Sequence, residues 1–94
     1  MFIAILTYLR PLEEIDALLP EHVRFLEQHY ASGLFVASGR QVPRTGGVII
    51  ISGHDRVQAQ AVLEQDPFAR AGATAYELIE FTPAKMRPGF EAFL

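Results

Sequence analysis

Hydrophobic and polar residues follow two different spacings along this chain, and each spacing predicts a type of secondary structure. Short apolar segments rich in β-branched and aromatic residues, bounded by glycine, proline or charged residues, indicate β-strands. The chain contains four of them: Phe2–Leu9, Leu34–Ser38, Val48–Ser52 and Thr74–Phe81. The first and third are apolar at nearly every position, which is typical of strands that are covered on both faces.

The segment Pro20–Ser32 has the spacing of an amphipathic helix. One apolar stripe recurs at every third or fourth residue, and we expect it to face the core: Leu19, Val23, Leu26 and Tyr30. Because proline suits the first position of a helix, the helix is predicted to begin at Pro20. The preceding residues, Pro11–Leu19, are predicted to form a connection or a short helix.

A second amphipathic helix is predicted at Arg56–Gln65. Asp55 precedes it directly and suits the N-cap position, where a carboxylate accepts a hydrogen bond from a free backbone N–H. The residues expected on its buried side are Val57, Ala61 and Val62.

The sequence DPFARAG, residues 66–72, follows this second helix. Asp66 at the N-cap, Pro67 at the first helical position and Gly72 after the last residue are ordinary start and stop signals for a short helical turn. A capping carboxylate uses one oxygen and keeps a second one to orient another group. Asp66 is therefore a predicted cap and also a candidate for a functional role.

The predicted order of elements is β-α-β-β-α-β. This order is that of the ferredoxin-like fold, an α+β fold with a four-stranded antiparallel sheet and two helices on one face. With 94 residues we expect a single domain, residues 1–94, with a C-terminal tail at about 83–94. Helices on one face leave the other apolar face uncovered. A second copy of the chain, stacked sheet against sheet, would cover it, so a homodimer is predicted.

Composition excludes several functional classes. The net charge is −3 and the basic residues are scattered, whereas nucleic-acid-binding proteins usually carry a basic patch with aromatic platforms. No apolar stretch approaches the length of about 20 residues that a membrane span needs, and we expect a cytoplasmic protein without a membrane partner. The chain has no cysteine, and so no thiolate nucleophile and no disulfide.

Histidine is the side chain best suited to proton exchange near neutral pH, and two histidines fall on the first helix. His22 lies about 60° from the centre of the apolar stripe on a helical wheel. It is either a boundary histidine bonded to the backbone or a catalytic group. His29 is seven residues away, about 10 Å along the axis, which is too far for both rings to bind one metal ion. No metal site and no cofactor are expected.

Three segments carry a resemblance to a known family: LPEHVRFLEQHYASGLFVASG, QVPRTGGVII and EQDPFARAGATAYELIEFTP. Over nearly all of residues 2–88 the chain resembles the YciI-like proteins (YCII-related domain), small members of the dimeric α+β barrel group. The resemblance implies a His–Asp pair inside a ferredoxin-like dimer, here His22 and Asp66. It also implies activity on small chlorinated or hydroxylated aromatic compounds. Arg40 departs from the family pattern, because proline is frequent after Ser38-Gly39.

Further residues are candidates for contact with a small-molecule ligand. Ser38 ends a predicted strand, so its hydroxyl either faces a cavity or belongs to a turn. Tyr8 supplies either a phenol or packing. Arg40 and Arg44 lie on a predicted loop, where they either attract an anionic substrate or are simply solvated. The phenylalanines expected in the core are Phe35, Phe68 and Phe81.

Two functions from different classes fit these residues. One is a small enzyme without a cofactor, in which Asp66 fixes the tautomer of His22 and His22 moves a proton on a small, aromatic or carbonyl-bearing substrate. Elimination, isomerisation and hydrolysis all suit such a pair. The alternative is a non-catalytic dimer whose cavity binds a metabolite or whose surface binds a partner. The enzyme requires His22 and Asp66 to meet at a cavity, whereas the binding module requires only the cavity.

Overall fold

A computed structural model describes residues 1–94. The chain forms four strands and three α-helices, followed by one short 3-10 turn at Phe90–Phe93. In chain order the elements are β1 (Phe2–Tyr8), α1 (Leu12–Ala31), β2 (Phe35–Arg40), β3 (Gly46–Ile51), α2 (Arg56–Glu64), α3 (Pro67–Arg70) and β4 (Thr74–Glu80). The strands pair antiparallel in the order β2-β3-β1-β4, which confirms the predicted ferredoxin-like α+β fold.

The helices and one face of the sheet enclose the main core. Side chains of β1 alternate across the sheet, so that Phe2, Ala4 and Leu6 are buried while Ile3 and Ile5 are only partly covered. The buried set packs against one residue of α1 and three of α2: Phe25, Ala59, Val62 and Leu63. Both long helices therefore lie on the same face. None of the helices is both long and apolar enough to span a membrane.

Helix α1 is longer than predicted, because it runs without a break from Leu12 through Pro20 to Ala31. A proline inside a helix removes one backbone hydrogen bond and is usually unfavourable. Here Pro20 is solvent-exposed, and buried side chains on both sides of it, Ile15 and Phe25, hold the two halves against the core. Tertiary packing thus outweighs the local signal that placed the start of the helix at Pro20.

Of the predicted core stripe of α1, only Leu26 packs against the main core, and it is partly buried. Leu19, Val23 and Tyr30 keep between 38% and 40% of their surface exposed. The face of α1 that is buried carries Ile15, Phe25 and His29 instead. The stripe and the buried face lie side by side on the helix, and the apolar spacing alone does not separate them.

Two smaller predictions about burial were also wrong. On α2, Val57 is 76% exposed and Ala61 is exposed, whereas Ala59, Val62 and Leu63 are buried. Asp55 caps this helix as predicted, since its Oδ1 accepts a hydrogen bond from the N–H of Gln58 at 3.0 Å. Phe81 follows β4 and is 40% exposed, because it lies beyond the end of the sheet.

A second, smaller core fixes the short helix α3. Phe68 of α3 packs with Ile15 of α1 and with Ala73, while Tyr8 covers the edge of this cluster. The ring of Tyr8 meets that of Phe68 edge to face, with centroids 6.2 Å apart. This cluster connects α3 to the N-terminal half of α1 and thereby sets the position of the residue that begins α3, Asp66.

His29 is a buried histidine without a charged partner. Its side chain lies between Phe25 and Phe35, with ring centroids 5.0 Å away on each side, and its Nε2 atom has no hydrogen-bond partner in the chain. Burial lowers the pKa of His29 below its ordinary value, because the charged ring would lose its hydration.

Protonation of His29 is therefore expected to oppose folding. Below about pH 6.5 the unfolded chain binds this proton and the folded chain does not, so the free energy of unfolding should fall as the pH is lowered from about 6.5 towards the depressed folded pKa. Urea denaturation between about pH 5 and about pH 8 should show this slope, and His29→Leu should reduce it. Substitution of the exposed His54 is the control and should leave the pH slope unchanged. An identical pH slope in wild type and His29→Leu would contradict the assignment.

Candidate functional site

A cavity of about 340 Å³ lies between α1 and the sheet. Its apolar side chains come from α1, the central strands and α3: Leu6, Leu19, Val23, Leu26, Ile49 and Phe68. Its polar side chains are Tyr8, Asp16, His22, Ser38, Arg40 and Arg44. The volume is at the small end of the range for ligand pockets, about 300–1,000 Å³, and suits a molecule of one ring. Three residues of the apolar stripe of α1 therefore line this cavity: Leu19, Val23 and Leu26.

The ring of His22 reaches Asp66 across the space between α1 and α3. Its Nδ1 lies 2.8 Å from Oδ1 of Asp66, and the two side chains are 12% and 1% exposed. A buried carboxylate oxygen accepts hydrogen bonds, so the nitrogen that faces it carries the proton. The pair therefore fixes the tautomer of His22 with hydrogen on Nδ1.

Asp66 holds its position because it also begins α3. The same Oδ1 accepts a hydrogen bond from the backbone N–H of Phe68 at 3.0 Å, as expected for an N-cap. Pro67 occupies the first helical position, where its missing N–H has no cost. The cap predicted from the sequence is confirmed, and the same oxygen is the one that meets His22.

Phe68 supports the pair a second time through its ring. The ring stacks on the imidazole of His22 with a centroid distance of 4.0 Å and an interplanar angle of 14°. Because Phe68 is itself buried in the small core, it holds the imidazole plane in one orientation. The sequence predicted Phe68 only as a core residue. Its position two residues after the capping Asp66 was the one local sign that its ring would lie beside the partner of Asp66.

The other ring nitrogen of His22, Nε2, is left without a partner in the chain. Nε2 makes no hydrogen bond within the chain, it is not enclosed, and the residue lines the cavity. With hydrogen fixed on Nδ1, Nε2 carries the lone pair of the neutral ring, which is the proton-accepting atom of an imidazole. The second oxygen of Asp66, Oδ2, is buried without a partner, so the positive charge formed by protonation of the ring faces a carboxylate.

Two hydroxyl groups reach the sheet side of the cavity. The Ser38 hydroxyl is hydrogen-bonded at 2.7 Å to the phenol of Tyr30, which connects β2 to α1. In the sheet Ser38 pairs with the buried Ile49, so the side chain of Ser38 is on the helix side of the sheet. Of the two alternatives for Ser38, a cavity hydroxyl or a turn hydroxyl, the structure favours the first. Tyr8, at the end of β1, lines the cavity and packs on Phe68, so the packing predicted for it is confirmed.

The two arginines differ in their partners. Arg44, on the loop after β2, donates a hydrogen bond to Asp16 of α1, and its guanidinium lies 5.9 Å from the ring centroid of Tyr8. This bond lowers the pKa of Asp16 and raises that of Arg44. Arg40 is the last residue of β2 rather than a loop residue, and no carboxylate lies within 4.0 Å of it.

The sequence named most of these residues but not all of their contacts. The structure brings His22 to Asp66, and it brings Tyr8, Ser38 and Arg40 to the same cavity as His22. Asp66 lies behind His22 and does not line the cavity itself. Asp16 was missed, because a carboxylate inside the predicted connection Pro11–Leu19 gave no sign that a helix would carry it to the loop after β2. No group of three or more His, Asp or Glu side chains is placed to hold a metal ion.

Comparisons with known proteins agree with this fold. The profile of the YCII-related domain family matches residues 1–82. Among solved structures, the chain is similar to 5-chloro-2-hydroxyhydroquinone dehydrochlorinase from Burkholderia phenoliruptrix, in complex with 2,5-dihydroxybenzoquinone. The two chains superpose with a TM-score of 0.72 at 21% identity, over 87% of this chain and 94% of the other. No curated protein sequence matches the chain.

The double use of Asp66 predicts how its variants behave. Asp66→Ala removes the cap of α3, which should lower the free energy of unfolding by about 1 kcal/mol. It also leaves Nδ1 of His22 without its partner, which should cost about 1–3 kcal/mol more. Asp66→Asn should cost less, since asparagine is a comparable cap. Urea denaturation measures these differences, and ¹⁵N NMR should show that the preference of His22 for hydrogen on Nδ1 is lost in Asp66→Ala.

Asp55→Ala is the matched control, because Asp55 caps α2 and accepts no hydrogen bond from His22. It should cost about 1 kcal/mol and leave the His22 tautomer unchanged. The assignment fails if Asp66→Ala is no more costly than Asp55→Ala, or if the tautomer of His22 is the same with and without Asp66.

Proposed function

The chain belongs to the YCII-related domain family, and from this membership and the geometry of its cavity we propose that it is a small enzyme that transfers protons on a ring-sized substrate without a cofactor. His22 is the proposed catalytic base and acid, and Asp66 orients its ring. The observation that carries the proposal is the 2.8 Å contact between His22 Nδ1 and Asp66 Oδ1, which leaves Nε2 free beside an apolar cavity.

The proposed roles follow from the two nitrogens. Nε2 of His22 takes a proton from a hydroxyl or a ring carbon of the substrate, and the carboxylate of Asp66 stabilises the imidazolium that forms. Asp66 does not need to move its own proton, because its charge and its hydrogen bond are sufficient to orient the ring and favour the cation. The same imidazolium then returns the proton to the product or to solvent.

Elimination is the reaction class we propose first. The similar structure is that of a dehydrochlorinase bound to a dihydroxyquinone, and a hydroxylated, halogenated ring fits a cavity of about 340 Å³. In such a step His22 takes the proton and the released electron pair forms a new π bond. The halide leaves with the electrons of the carbon–halogen bond. The balance is the loss of one hydrogen halide, with no oxidant or reductant.

The test is turnover by wild type and His22→Gln. Release of chloride should be measured over a set of chlorinated and hydroxylated ring compounds that includes 5-chloro-2-hydroxyhydroquinone. For a matched substrate, His22→Gln should lower kcat by about 10²–10⁴, the usual share of a general acid–base group. Loss of the stack on Phe68 should cost about 1 kcal/mol of stability and loss of the bond to the buried Asp66 about 1–3 kcal/mol more, so turnover is compared per folded molecule.

His54→Gln is the control, since His54 is exposed and does not line the cavity. Unchanged turnover per folded molecule in His22→Gln would make the histidine structural. Absence of turnover over the whole set, together with tight binding of one compound, would favour the non-catalytic binding module.

We also propose that the protein is a homodimer. On the sheet face away from the helices, partly exposed isoleucines and valine of three strands are neighbours in the register: Ile3, Ile5, Val48, Ile50 and Ile79. Contiguous apolar surfaces of this kind are rare on monomers. The same face of a second copy would cover this surface, as predicted from the sequence.

Sedimentation equilibrium at micromolar concentration should give twice the subunit mass of 10.5 kDa. Ile5→Lys places a charge in the middle of the apolar sheet face and should give the monomer mass. Val57→Lys is the matched control, because Val57 is an exposed aliphatic residue on α2, away from this face. A monomeric wild type, or an Ile5→Lys variant with unchanged mass, would contradict the dimer.

A further inference from the structure

We infer that Arg40 selects substrates that carry an organic oxyanion, a carboxylate or an ionised ring hydroxyl, and that it binds this group opposite the apolar stripe of α1. The inference deepens the proposed function, because it concerns the same cavity and names the class of molecule that the cavity accepts. It depends on three observations: the direction in which Arg40 points, the charge balance of the cavity, and the absence of a partner for Arg40.

The register of the sheet directs Arg40 towards the cavity. Arg40 pairs with Gly47 of β3, which pairs in turn with Leu6 of β1. Leu6 is buried on the helix side, so Arg40 is on the same side as the cavity, at the edge of the sheet. Gly47 also lines the cavity, and a Cβ at this position would lie only 3.2 Å from the backbone oxygen of Gly39.

The polar end of the cavity has an excess of positive charge. Two arginines and one aspartate line it, although the chain as a whole has a net charge of −3. Asp16 is bonded to Arg44, and the more distant charge of Arg40 also lowers the pKa of Asp16, so one carboxylate faces two guanidinium groups and one positive charge is left over. Arg40 is the arginine that remains, since it takes part in no ion pair and no side-chain hydrogen bond within the chain.

A guanidinium presents paired N–H donors that match the two oxygens of a carboxylate or adjacent oxygens on a ring. The stripe formed by Leu19, Val23 and Leu26 accepts the apolar face of such a ring. His22 is in the same cavity, so a ring anchored at Arg40 is held within the space that Nε2 of His22 faces. Arg40 is a binding and specificity residue here, and His22 carries the chemistry.

Binding of two matched pairs of small molecules tests the inference. Benzoate and benzamide have nearly the same shape and differ in charge, and 2,5-dihydroxybenzoquinone differs from its dimethoxy analogue by having acidic hydroxyl groups. Calorimetric or NMR titration of the wild type should show about tenfold tighter binding of the anion in at least one pair, as expected for a charge-assisted hydrogen bond at a partly exposed site. The preferred pair identifies the anion as carboxylate or ring oxyanion.

Arg40→Gln should abolish the preference, and Arg40→Lys should keep part of it, because lysine retains the charge but not the paired donors. Arg24→Gln is the matched control, since Arg24 is an exposed arginine on α1 that does not line the cavity. The preference should also weaken as salt is raised. Equal binding within both pairs, no binding of either anion, or a preference that persists in Arg40→Gln would overturn the inference.

The same titrations with His22→Gln separate the inference from the proposed function. If His22→Gln retains the preference for the anion while turnover is lost, both stand. If turnover is absent in the wild type but Arg40→Gln still removes the preference, the catalytic proposal fails and the assignment of Arg40 survives.

Discussion

One oxygen of Asp66 accepts hydrogen bonds from two parts of the chain that are far apart in sequence. The backbone N–H of Phe68 is two residues away and the imidazole of His22 is 44 residues away. The first bond begins α3, and the second joins α3 to α1. Phe68 adds its ring to both connections, because it is buried in the small core and stacks on His22. The orientation of the candidate catalytic ring therefore depends on the same residue that starts a helical turn.

The cavity exists because α1 does not bury all of its apolar side chains. Ile15 and Phe25 enter the cores, while Leu19 and Val23 on the adjacent side remain partly exposed and line the space above the sheet. Burying them would gain about 1.5–3 kcal/mol for each side chain, and the chain forgoes part of that gain. An apolar surface left open beside a histidine and two arginines is the arrangement expected of a binding site.

Local signals in the sequence predicted the fold and the residues of the site better than the contacts between them. Strand patterns, the Asp66 cap and the order of elements depend on neighbouring residues, and the structure confirms them. Pro20 misled the prediction, because the proline signal is local while the continuity of α1 depends on packing at Ile15 and Phe25. The stack of Phe68 on His22 and the bond from Arg44 to Asp16 join distant segments, and no local spacing encodes them.

His22 and His29 show why the carboxylate matters more than the position on the helix. Both histidines lie on the buried side of α1, and Phe25 is a neighbour of each, with ring centroids 6.1 Å and 5.0 Å away. His29 packs against two phenylalanine rings, its Nε2 has no partner, and burial lowers its pKa, so it stays neutral in the folded protein near neutral pH. His22 meets Asp66 on one side and the cavity on the other. The same imidazole on the same helix is therefore a packing residue at one position and an oriented ring at the edge of a cavity at the other, and Asp66 makes the difference.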